Sequence, residues 1–207
     1  MFEQEHIDRI RAFFATYPRY AEVVSYRELQ PSVGQVTNLF YGDSITAAWP
    51  LHEFFPSHSL LNRGIGGDSV YGLYDRMAED VFPYQPKRVF LFVGINGIQE
   101  PAERILAHIK ALAERLVESG TTVAVSSILP LREPDNWDRF QYQEKIVAIN
   151  GELATYAAAQ GHPFLDYHGA VRDDTGQLAA EHACPDGTHV TLAAYRRMAD
   201  VVRPHLL

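Results

Sequence analysis

The stretch Arg88-Val89-Phe90-Leu91-Phe92-Val93-Gly94 decides the fold. Five apolar residues follow one arginine and stop at a glycine. A strand with one wet face alternates apolar and polar residues, whereas a strand covered on both faces reads as an unbroken apolar run. Thr121-Thr122-Val123-Ala124-Val125 reads the same way, so both runs suit strands of a parallel sheet. Strands are therefore expected at 36–41, 59–63, 88–93, 121–128 and 163–166. Helical periodicity lies between and after them, at 68–81, 102–119, 138–160 and 191–205. Gly94, Gly120, Pro130 and Pro134 fall at the joints. Strands alternating with helices imply an open α/β sandwich with right-handed crossovers. Two more helices are expected at 3–15 and 18–29, the first with Ile7, Ile10, Phe13 and Phe14 on one face. No repeat or long linker appears, so residues 1–207 read as one domain, with 1–35 a helical extension packed on it.

Bulk properties narrow the function. A chain of 207 residues can bury a full core, and 46% hydrophobic with 12% aromatic content is ordinary for a globular protein. A formal net charge of -8 argues against nucleic acid and anionic membrane surfaces as partners. A single cysteine, Cys184, excludes an internal disulfide framework and a cysteine-rich metal site. Met1-Phe2-Glu3-Gln4-Glu5-His6 lacks a basic segment leading into an apolar core, and no apolar run approaches spanning length. A cytoplasmic protein without stable membrane insertion is the expectation.

In open α/β sheets, sites form beyond the carboxyl ends of the strands. Four segments fall there. Tyr41-Gly42-Asp43-Ser44-Ile45 ends the first strand and opens a helical segment, 45–55. A serine at such a junction has its hydroxyl at the sheet edge and its N–H among those a helix start leaves unpaired. The plain alternative is that Asp43-Ser44 only caps the helix. Arg63-Gly64-Ile65-Gly66-Gly67-Asp68 follows the second strand, where a glycine N–H can face a site without a side chain in the way. It could also cradle phosphate, but Ser69 stands where a dinucleotide fingerprint has its third glycine, and no Gly-Lys-Ser/Thr is present. Asn96, in Gly94-Ile95-Asn96-Gly97, could donate to an oxyanion or simply make a turn with Gly97. Asp186-Gly187-Thr188-His189 could pair a carboxylate with an imidazole base, or be a loop in which Thr188 or Thr191 caps the last helix. Gly-x-Ser-x-Gly and His-Glu-x-x-His are both absent. His52, His58, His108, His162 and His168 lack metal-ligand spacing and read as surface or hydrogen-bonded loop residues.

The order of these four segments resembles the four blocks of the SGNH (GDSL) hydrolase superfamily, over about residues 36–205. Leu61-Asn62-Arg63-Gly64-Ile65-Gly66-Gly67-Asp68 is similar to the esterase branch that includes the catalytic subunits of intracellular platelet-activating-factor acetylhydrolases. The resemblance implies a three-layer α/β/α sandwich whose five-stranded parallel sheet has flavodoxin-like order. It implies Ser44 as nucleophile, His189 as base and then acid, and Asp186 as the group orienting His189. The oxyanion donors would be the N–H groups of Ser44 and Gly67 and the side chain of Asn96. One departure is Gly97, where the family usually has aspartate after the asparagine. This puts the pose of Asn96 in question.

The expected activity is that of a serine esterase or acylhydrolase acting on small, short-chain O-acyl esters through an acyl-enzyme, without metal or cofactor. The ester could carry an acylated sugar, a lipid or another alcohol. An acyltransferase or thioesterase would use the same triad. A non-catalytic binding module on the same fold and a flavodoxin-like nucleotide or flavin binder are the other classes. Pocket walls are expected from 129–139, with Pro130, Leu131, Arg132, Pro134 and Trp137, although an ordered surface loop reads equally well. The segment 171–183 has no assigned role, and the N-terminal helices could cover the sheet, border the pocket or pair with a second copy in a homodimer.

Overall fold

A computed structural model describes residues 2–16, 20–133 and 141–207. Five parallel strands form one sheet: β1 (Asn38–Gly42), β2 (Leu60–Gly64), β3 (Arg88–Phe92), β4 (Thr122–Ser126) and β5 (Phe164–Leu165). Their order is β2-β1-β3-β4-β5, the flavodoxin-like order that the resemblance implies. Register pairs Gly42 with Gly64 on one side and with Phe92 on the other.

The unbroken apolar runs have the predicted cause. Leu39, Tyr41, Val89, Leu91, Val123 and Val125 pack on one face with α5 (Val70–Asp80), α6 (Ala102–Glu118) and α7 (Gln143–Gln160). Phe40, Phe90, Phe92 and Ala124 pack on the other with α3 (Ser44–Ala47), α4 (Leu51–Phe54), α8 (Tyr167–Val171) and α9 (Leu192–Val202). Successive strand residues point to opposite faces, and here both faces are dry.

Helices α1 (Gln4–Thr16) and α2 (Tyr20–Val33) form the N-terminal layer against α5. Ile7 and Phe14 are buried, but Phe13, expected on the same face, is 40% exposed and turned toward the sheet's carboxyl edge. Around the helix Ile7 and Phe14 lie about 20° apart, whereas Phe13 lies about 120° from Ile7 and falls at the edge of the buried stripe. Helix α2 runs through Pro31, past the expected end at residue 29. Pro31 brings no N–H to the helical ladder, and the helix ends two residues later at Val33.

Other differences lie at element ends. The segment after β1 is two short helices separated by Ala48-Trp49-Pro50, and the last helix stops at Val202 before a 3-10 turn, Arg203–His205. Strand β4 stops at Ser126, two residues short of the expectation. The start of the helix expected over 138–160, and Pro134 and Trp137, lie outside the described residues. His108 and His168 are buried on helices, not exposed in loops.

The chain order places a switch point at the β1–β3 pair. The connection leaving β1 passes to the α3/α4 face, and the one leaving β3 passes to the α6 face. A crevice opens between them at the carboxyl edge.

Candidate active site

Ser44 is the first residue of α3, directly after β1. Asp43 precedes it as N-cap, and its Oδ1 accepts from the Ile45 N–H at 3.0 Å. Asp43 is therefore the cap, and it leaves Ser44 at the sheet edge, 9% exposed. Asp43 is buried and its Oδ2 has no partner. Burial, partly opposed by the Ile45 hydrogen bond, pushes this carboxyl up to about 7.

His189 reaches Ser44 from the far end of the chain. Its Nε2 lies 2.9 Å from Ser44 Oγ, and its Nδ1 meets Asp186 Oδ2. The other Asp186 oxygen accepts from the N–H groups of Thr188 and His189 at 3.0 and 2.9 Å. Burial works against the charged form of Asp186, but the hydrogen bonds from His189 and these N–H groups outweigh it and hold the carboxyl below its ordinary value. The turn is braced on both sides. Cys184 N–H donates to the His189 carbonyl at 2.8 Å, and Arg132 N–H donates to the Gly187 carbonyl at 2.9 Å. Thr191 caps α9, so of the two threonines considered it is the cap, whereas Thr188 Oγ1 is buried without a partner. Tyr195 of α9 donates to the Ile45 carbonyl at 2.6 Å and ties α9 to α3. The side chains of His189 and Asp186 are 44% and 49% exposed, so water reaches this side of the cluster.

Gly67 and Asn96 meet on the other side. Gly67 has φ +78°, a conformation that favours glycine. Asn96 Nδ2 donates one hydrogen to the Asp68 carbonyl at 2.8 Å, which leaves the second hydrogen of the amide to be aimed elsewhere. Ile65 N–H donates to the Gly42 carbonyl at 3.1 Å and fastens this turn to the end of β1.

Beneath the three loops lies a group that the sequence reading missed. Buried Arg76 of α5 donates through Nε to Asp68 at 2.7 Å, through Nη1 to Asp80 at 2.8 Å and through Nη2 to the Gly42 carbonyl at 3.1 Å. It also stacks 4.5 Å over the Tyr41 ring. Burial works against its charge, but Tyr41, Asp68 and Asp80 around it hold it protonated. The signal in the sequence was an arginine and an aspartate four apart, Arg76 and Asp80, on an otherwise apolar helix face with Leu73 and Met77.

Within the described residues, 129–133 brace the Asp186 turn through Arg132. The segment 171–183 contributes two antiparallel bridges, Arg172 with Leu178 and Ala183 with Val190. Among the described residues no group of three or more His, Cys, Asp and Glu is gathered as for a metal ion, and no helix is long and apolar enough to cross a membrane.

Known proteins resemble this chain in sequence and fold. The sequence model of the GDSL-like lipase/acylhydrolase family matches residues 40–197. Human platelet-activating factor acetylhydrolase IB subunit alpha1 is 29% identical over 196 residues, covering 89% of this chain and 79% of that protein. Among solved structures, a GDSL-like lipase from Bacteroides thetaiotaomicron VPI-5482 is 26% identical with a TM-score of 0.78, covering 93% of this chain and 97% of that one. The acetyl xylan esterase AlAXEase shares the fold, with a TM-score of 0.70 at 21% identity, covering 83% of this chain and 100% of that one.

Proposed function

The chain belongs to the GDSL-like lipase/acylhydrolase family, and on that premise we propose that it is a serine esterase cleaving small O-acyl esters through an acyl-enzyme. The observation that carries this reading is the continuous line of contacts from Ser44 Oγ through His189 to Asp186.

Ser44 Oγ attacks the ester carbonyl carbon while its proton passes to His189 Nε2. The positive charge this puts on His189 is met in advance, because the Asp186 carboxylate stabilises the imidazolium through Nδ1. The carbonyl oxygen becomes an oxyanion that the N–H groups of Ser44 and Gly67 and the free Asn96 N–H would receive. As the tetrahedral species collapses, His189 gives its proton to the departing alkoxide, and an alcohol leaves. Water then loses a proton to His189 and attacks the acyl carbon. The acid departs, and Ser44 Oγ takes the proton back. The exposure of His189 and Asp186 supports hydrolysis, because water has access to the base.

The test is steady-state hydrolysis of 4-nitrophenyl acetate. Ser44→Ala and His189→Ala should each lose about 10³-fold or more in kcat, the scale expected for removing a member of such a triad. Wild-type rates in a folded Ser44→Ala protein would sink the reading.

A further inference from the structure

Gly67 and Asn96 share an open, shallow cleft of about 310 Å³ with residues of α1. This volume sits at the lower end of the roughly 300–1,000 Å³ typical of small-molecule sites and suits one ring better than a long chain. Its wall includes Phe13, whose ring carbons lie 3.1 and 3.3 Å from where a Cβ on Gly67 would stand. The ring thus covers Gly67 while staying 40% exposed. Arg9 and Gln99 are exposed at the same cleft, and Glu100 is held there by the Tyr71 hydroxyl, which donates to its Oε2 at 3.1 Å.

From this lining we infer that the cleft is a subsite for the polyhydroxylated, sugar part of the ester, with Phe13 as platform and Arg9, Gln99 and Glu100 as hydroxyl-binding groups; the inference rests on the esterase reading above. The weakly positive C–H face of a pyranose meets the negative face of an aromatic ring. A guanidinium, an amide and a carboxylate are planar, multidentate partners for neighbouring hydroxyls. Ile10 lies beside Phe13 in the same wall, so apolar and polar patches adjoin, as do the two kinds of face on a pyranose.

Helix α1 is seated firmly enough to act as a wall. Ile7 and Phe14 are buried, and Phe2 stacks on Tyr74 and His108 with ring centres 4.0 and 4.4 Å away. His6 stacks on Tyr71 at 4.7 Å, and Arg11 pairs with Asp75 at 2.6 Å. Helix α1 also precedes the residues 40–197 matched by the family. The subsite is therefore completed by a part of the chain outside that shared stretch.

The experiment has two arms. In the first, kcat/KM is measured for acetylated methyl pyranosides of glucose, xylose and mannose, with 4-nitrophenyl acetate as reference ester. Phe13→Ala and Gln99→Ala should each lower the ratio of sugar ester to reference by about tenfold, mainly through KM. Gln99 lies on an exposed loop, so its variant guards against misfolding of α1. In the second arm, Ser44→Ala protein is titrated with the corresponding methyl pyranosides and followed by NMR. Saturable shifts are expected, and they should weaken when Phe13→Ala is added. Ser44-dependent hydrolysis with unchanged ratios and no saturable sugar binding would overturn the subsite alone. Saturable, Phe13-dependent sugar binding without Ser44-dependent hydrolysis of any ester would support the subsite and sink the esterase reading.

Discussion

Asn96 donates through Nδ2 to the carbonyl oxygen of Asp68 at 2.8 Å. This bond joins the loop after β3 to the turn after β2, and it gives Asn96 a fixed pose without help from the residue that follows. Asn96→Ala should therefore lose both the proposed oxyanion donor and a tie between two loops. A fall in kcat of about 10²–10³ is expected, with KM changed much less. Gly97 has φ +98°, and a Cβ there would lie 3.7 Å from Glu100 Oε1. Gly97→Asp, which restores the usual family residue, should consequently lower stability by about 1–2 kcal/mol and fail to raise kcat. Thermal melts alongside ester kinetics check both variants.

Much of this was readable in the residues. Continuous apolar runs such as 88–93 can be satisfied only between two layers, so the sandwich followed from them. Ser44, Gly67 and Asn96 sit just past strands, so their gathering at one edge followed from the fold, whereas the Asp-x-x-His turn lies well past β5 and just before α9. What periodicity could not supply was direction around a helix at a crowded point. Phe13 is expected on one face with Ile7, Ile10 and Phe14, yet it covers Gly67 instead. Arg76 was hidden because its partners, Asp68, Asp80 and the Gly42 carbonyl, meet only after three elements pack. A buried cation is visible in a sequence only when all its partners are local.

Arg76→Ala tests how far that cation holds the site together. Removing one member of a buried charged cluster leaves the others unpaired, at a cost of about 3–5 kcal/mol. For a chain of this size that corresponds to a fall in Tm of roughly 6–20 °C. Arg11→Ala breaks a pair whose arginine side chain is 58% exposed, and should move the melt far less. Differential scanning calorimetry separates the two. Equal shifts would contradict the assigned weight of Arg76.

Asp43 predicts a pH dependence of stability. Its carboxyl is raised from 3.8 to about 7 in the folded state, so the folded protein keeps a proton that the unfolded chain has released. The resulting stability is fully present below the unfolded value and is lost as pH rises through the folded one. A shift of this size corresponds to the order of 4 kcal/mol. Asp43→Asn retains an oxygen for the Ile45 N–H and removes the titration. Its stability relative to wild type should therefore increase on going from about pH 4.5 to about pH 7.5 in urea denaturation. Parallel behaviour of the two proteins over that range would contradict the burial argument.

Asp186 predicts a different phenotype. Asp186→Asn keeps a side chain that can still orient His189 but removes the charge that stabilises its imidazolium. The expected loss in kcat is about 10²–10⁴, with little change in Tm because the side chain is 49% exposed. Kinetics on 4-nitrophenyl acetate and a melt of the same sample test this together.

The central claim is that Ser44 is a nucleophile activated by His189, and covalent labelling reaches it most directly. Intact-mass measurement after treatment with a fluorophosphonate should show one adduct per chain, mapped to Ser44 by peptide digestion. The adduct should be absent in Ser44→Ala and form far more slowly in His189→Ala. A folded wild-type protein that takes no label, or a label that persists in Ser44→Ala, would contradict the account.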